Sequence, residues 1–118
     1  MREASRGKER LNHILEAIKN IEQYSSGKTF NDVADDKLLR HALTWNIQVI
    51  GEAANNITKE FTAIHIETNW RGITGMRHVL VHDYYQIDAE ELWNVIENDL
   101  QPLKQQIEQY LSEMDEIK

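Results

Sequence analysis

Arginine, histidine and tyrosine crowd one short stretch, Arg77-His78-Val79-Leu80-Val81-His82-Asp83-Tyr84-Tyr85. An arginine carries a permanent charge on a planar fork of donors, which suits a phosphate or a developing oxyanion. A histidine exchanges its proton near neutral pH, which suits acid–base work. Asp83, beside His82, favours the charged imidazolium. Arg77 and His82 lie five positions apart, about 140° around a straight helix. They form a same-face pair only if the helix end unwinds, or if a two-fold axis brings them together from two chains. With His82 at a helix C-terminus, the dipole adds to the preference for imidazolium. Two plainer readings stand beside this one. A histidine near a helix end also serves as a cap or a half-exposed polar residue. His78 and His82 also have the i, i+4 spacing of a zinc pair, whose third ligand would have to be Asp83 or a distant acid.

The elements that hold this stretch read as helices. Leu11, Ile14, Leu15, Ile18 and Ile21 recur at helical spacing and predict a first helix over residues 3–24, ended by Ser25-Ser26-Gly27-Lys28. Thr29, with Asp32 three residues on, caps a short turn over 30–34, and Asp35 or Asp36 caps a long second helix ending near Thr58. Thr62 to Asn69 reads as a connector, and Asn69 as the N-cap of a third helix from Trp70 to about Val81. Gly72 and Gly75 weaken that helix by roughly 1 kcal/mol each against alanine, and allow another backbone to come close. Asp83 to Ile87 reads as a loop. Asp88-Ala89-Glu90-Glu91 is a capping box for a last helix with a stripe of Leu92, Ile96, Leu100, Leu103, Ile107, Leu111 and Met114, kinked at Pro102. The expected fold is all-α: an antiparallel four-helix bundle with a short extra helical turn, as one domain over residues 1–118.

Two polar residues interrupt the second helix. Asn46 falls on the line Leu39, Leu43, Ile50, Ala53, and Glu52 on the line Leu38, Ala42, Trp45, Val49. Each is accounted for by a polar edge or a bond to nearby backbone, and together they could form a polar wall facing Arg77 and His82. Trp45, Trp70 and Trp93 read as core or dimer anchors.

Composition bounds the function. The 118 residues are 41% hydrophobic and 28% charged, ordinary for one globular domain and too apolar for a disordered chain. With no cysteine, disulfides and thiolate metal sites are excluded. Neither a signal peptide nor a membrane span is apparent, so a cytoplasmic location is expected. The net charge of -7 counts against bulk nucleic-acid binding. The charge is unevenly spread, however. Trp70 to His82 holds Arg71, Arg77, His78 and His82 with no acid, whereas Asp83 to Asp99 holds six acids and no Lys or Arg.

Arg77-His78-Val79-Leu80-Val81-His82-Asp83-Tyr84 resembles the R-x4-H-x-Y signature of the HepT-like toxins, within the HEPN superfamily of small helical domains. The resemblance extends over nearly the whole chain. It includes Ile14-Leu15-Glu16-Ala17-Ile18, Trp45-Asn46-Ile47-Gln48-Val49-Ile50-Gly51-Glu52-Ala53-Ala54, and Trp70-Arg71-Gly72-Ile73 ahead of Gly75-Met76-Arg77. It implies a metal-independent endoribonuclease, active as a homodimer with the two Arg–His motifs meeting in a cleft, and needing no cofactor. Arg77 and His82 would be catalytic, and Asn46, Glu52, His78 and Asp83 supporting. It also implies a partner, a nucleotidyltransferase antitoxin of the MNT type that transfers AMP to Tyr84. The alternative is a HEPN-like subunit that binds such a nucleotidyltransferase without cutting RNA.

Overall fold

The computed structural model describes the backbone of residues 2–79, 81–83 and 86–116, and the side-chain surroundings of residues 6–76 and 88–115. The first long helix, α1 (Arg2–Ser25), stops where Gly27 adopts φ 72°, a left-handed turn that glycine enters without a Cβ penalty. Thr29 then opens α2 (Phe30–Asp35) with a full capping box: its hydroxyl accepts from the Asp32 amide and its own amide donates to the Asp32 carboxylate. The far end of α2 is satisfied from a distance, because the Arg40 guanidinium donates to the carbonyls of Val33 and Ala34. Asp36 caps α3 (Lys37–Asn55) by accepting from the Leu39 amide at 3.0 Å.

After α3 the chain departs from the expected connector. Thr58 caps a short helix, α4 (Lys59–Ile64), through the Phe61 amide. Six residues are too few to display a helical stripe, so only the cap carried a signal. Asn69 caps α5 (Trp70–Val79), accepting from the Gly72 amide at 3.1 Å, as expected. In place of the expected loop, β1 (Val81–Asp83) pairs antiparallel with β2 (Gln86–Ile87). Among the described residues everything else regular is helical.

The last helical run also differs in detail. Asp88 caps α6 (Ala89–Asn94) by accepting from the Glu91 amide. A π-helical stretch, Val95–Asp99, leads into α7 (Leu100–Glu116). Pro102 has no amide to donate and crowds the turn before it, and the widened turn sits directly upstream. One consequence is visible in the core. The buried line runs Leu92, Val95, Leu100, Leu103, Ile107, Tyr110, with a gap of five at the wide turn, so Val95 and Tyr110 take the places expected of Ile96 and Leu111.

Helix α1 packs against α3 and α7, and α3 packs along α5. Leu11, Ile14, Ile18 and Ile21 of α1 meet Leu43, Ile47 and Ile50 of α3 and Ile107 of α7 in a core without solvent access. No helix among the described residues is long and apolar enough to cross a membrane.

Candidate active site

The Arg–His stretch spans the junction of α5 and the strand pair. Arg77 and His78 lie in the last turn of α5, which ends at Val79, while His82 and Asp83 lie in β1. Leu80, Tyr84 and Tyr85 lie outside the described residues, and so do the side chains of Arg77, His78, His82 and Asp83. This corrects three expectations. The helix stops three residues before His82, so the separation of about 140° does not apply and gives no ground for a two-chain site. The dipole of α5 does not end on His82. His78 and His82 are not on successive turns of one helix, so they lack the geometry of an i, i+4 zinc pair.

The strand pair supplies a different positioning device. Val81 faces Ile87 and Asp83 faces Gln86, so two steps on β1 match one step on β2. His82 is the extra residue. Such irregularities re-aim a residue and recur beside active sites.

Asn46 and Glu52 lie on α3, the helix that packs along α5. Asn46 is buried, and its polar atoms have local partners: its Nδ2 donates to the Ala42 carbonyl at 2.8 Å and its Oδ1 accepts from Asn20 Nδ2 of α1 at 3.1 Å. That arrangement is the plain structural one. Glu52 lies on the exposed line of α3 with Leu38 and Trp45, lining a groove that α1 completes with Arg10 and His13. Trp45 is 66% exposed and is not a core residue. Trp70 and Trp93 do pack inward, Trp70 donating from Nε1 to the His65 carbonyl and Trp93 meeting Phe30 edge-on. Gly72 has a local reason: a Cβ there would stand 2.5 Å from Asn69 Nδ2, the side chain that caps α5. Among the described residues, beyond the helix's own backbone, nothing lies within 4 Å of a Cβ at Gly75.

A polar cluster that composition did not flag anchors the entry to α5. Thr68, 3% exposed, donates to Gln106 Oε1 at 2.8 Å and lies 2.5 Å from the Tyr110 hydroxyl, which donates to Glu67 Oε1 at 2.8 Å. Gln106 Nε2 donates to the Glu67 carbonyl. Burial, with the Glu67 carboxylate nearby, pushes the Tyr110 hydroxyl up to about 12. Glu67 is held below the usual carboxylate range by its own backbone amide and by Tyr110. Phe61, His65 and Trp70 close around the Tyr110 ring. The cluster joins residues about forty apart, so no local pattern announces it.

Comparison with known proteins places the chain among ribonucleases. Residues 14–110 match the model of the HepT-like ribonuclease family, and the chain belongs to that family. A "Probable ribonuclease HepT" of Thermococcus cleftensis is 36% identical over 101 residues, covering 86% of this chain and 92% of that protein. A protein of Caldanaerobacter subterraneus subsp. tengcongensis named as a putative RNase is 32% identical over 101 residues, covering 86% and 90%. A longer protein of Methanocaldococcus jannaschii, named as a gamma-glutamylcyclotransferase and putative RNase, is 36% identical over 108 residues; the match covers 92% of this chain but only 49% of that protein. No solved structure matches the chain.

Proposed function

We propose that this chain is a metal-independent endoribonuclease that cuts RNA by attack of a 2′-hydroxyl on the adjacent phosphorus. The observation that carries this reading is the family match over residues 14–110, which spans the whole Arg77-to-Tyr84 signature. His82 takes the proton of the attacking 2′-hydroxyl or gives one to the departing 5′-oxygen. Arg77 stabilises the extra negative charge on the phosphorane through paired donors. The P–O5′ bond breaks as the P–O2′ bond forms, leaving a 2′,3′-cyclic phosphate and a 5′-hydroxyl. His78 and Asp83 support this pair rather than replace it.

The proposed active unit is a homodimer of four-helix bundles, associated through α5, where Gly75 leaves the helix side open. The proposed setting is a toxin–antitoxin pair in the cytoplasm. An MNT-type nucleotidyltransferase adds AMP to Tyr84, placing a negative phosphate beside Arg77 and His82 where the substrate phosphate would sit. Tyr84→Phe is expected to resist modification and to keep measurable cleavage, as read by mass spectrometry after incubation with that partner, ATP and magnesium. Adenylyl mass on Tyr85 or on a serine, with Tyr84 bare, would contradict this part.

The net charge of -7 favours a second reading, a HEPN-like subunit that binds a nucleotidyltransferase without cutting RNA. Incubation of purified protein with total RNA in EDTA, with the new ends mapped, separates the two. Cyclic-phosphate ends are expected. Intact RNA, or activity that returns only when zinc or magnesium is added back, counts against the first reading.

A further inference from the structure

A cleft of about 430 Å³ opens between α5 and the π-helical stretch, of a size that takes a small organic ligand. It lies along the helix that carries the reactive stretch: Met76 lines it, one residue before Arg77 in the chain. Its floor is apolar: Ile73, Val95 and Leu103 line it, each almost fully buried. Its rim is amide-rich. Asn98 Nδ2 donates to Asn94 Oδ1 at 2.6 Å, which leaves the Asn94 amide as a donor and Asn98 Oδ1 as an acceptor side by side. The Asp99 carboxylate, next in sequence, can only accept. Asn94 precedes the π-helical stretch, Asn98 and Asp99 end it, and all three line this opening.

The charges narrow the ligand. Among the described residues that line the cleft there is no Lys, Arg or His, whereas Glu67 and Asp99 are there. At this rim the Asp99 carboxylate disfavours a phosphate and leaves room for a flat neutral heterocycle. The apolar floor suits a ring face, and the donor–acceptor rim suits a ring edge. The acceptor-only carboxylate favours an edge that carries an exocyclic amine.

We propose that this cleft is a nucleobase subsite, taking an amine-bearing base next to the bond that is cut. The proposal rests on the ribonuclease reading for its substrate, and on the cleft for its chemistry. It also reconciles an acidic chain with an RNA substrate. The phosphodiester chain passes the last turn of α5, where Arg77 lies, while the cleft receives only a base.

The test has two arms. In the first, the side-chain amide signals of Asn94 and Asn98 are followed by NMR as cytidine, adenosine, uridine or ribose 5-phosphate is added to the wild-type protein. Cytidine and adenosine are expected to shift both signals, uridine less, and ribose 5-phosphate not at all. Equal shifts with ribose 5-phosphate, or none with any nucleoside, would overturn the subsite. In the second, oligoribonucleotides differing in one base beside the cut are cleaved by wild type and by Asn98→Leu. The exposed position of Asn98 makes misfolding no obstacle. The variant is expected to lose about tenfold of its preference for amine-bearing bases over uracil. An unchanged preference would overturn the proposal. A wild type that cuts no RNA would instead contradict the ribonuclease reading, while the nucleoside titration still decides the cleft.

Discussion

At the scale of single residues, the chain separates polar groups that hold the fold from those available for chemistry. Asn46 looked anomalous on a core line, and the structure resolves it into bonds with Ala42 and Asn20. The reverse held for Tyr110 and Thr68, which carry no local signal because their contact joins distant segments. Tyr110→Phe is expected to cost about 1–2 kcal/mol near neutral pH, since Glu67 and Thr68 each lose a partner. The folded-state pKa of Tyr110 is raised, to about 12, so its contribution is fully present below the unfolded value of about 10 and is lost as pH rises toward 12. Urea unfolding of the wild type should therefore show stability falling over that window, with a shallower fall in Tyr110→Phe. Parallel curves for the two proteins would remove Tyr110 as the cause.

At the scale of elements, caps were the most legible features. Thr29, Asp36, Asn69 and Asp88 stand at helix starts because each places a side-chain acceptor over an unpaired amide. What stayed hidden had no periodic pattern to read: the six residues of α4, the strand pair, and the wide turn before Pro102. The strand pair mattered most for the candidate site, because it removes His82 from α5. The two α5 glycines make an element-scale prediction. Gly75→Ala meets nothing among the described residues and should gain roughly 1 kcal/mol of helix propensity. Gly72→Ala should gain little, because displacing the Asn69 cap costs a similar amount. Thermal melts of the two variants at equal concentration check this, and an equal gain in both would show that the Asn69 cap contributes little.

At the scale of the whole molecule, helical class followed from apolar spacing, whereas assembly did not, because a sequence does not show which face meets a second chain. If α5 is the contact, Gly75→Trp should weaken the dimer and cleavage together in sedimentation and activity measurements, and a fully active monomer would exclude that interface. The uneven charge is the other molecular-scale feature: an acid-free stretch, Trp70 to His82, is followed directly by an acid-rich one. The central claim is that Arg77 and His82 carry the chemistry, and comparison of His82→Ala with His78→Ala tests it most directly. Rates of cyclic-phosphate formation from one RNA substrate would be measured for both variants, with circular dichroism confirming the fold. His82→Ala is expected to lose about a hundredfold or more, the scale of a missing general acid–base group, while His78→Ala keeps most of the wild-type rate. A wild-type rate in His82→Ala together with a collapse in His78→Ala would contradict the account.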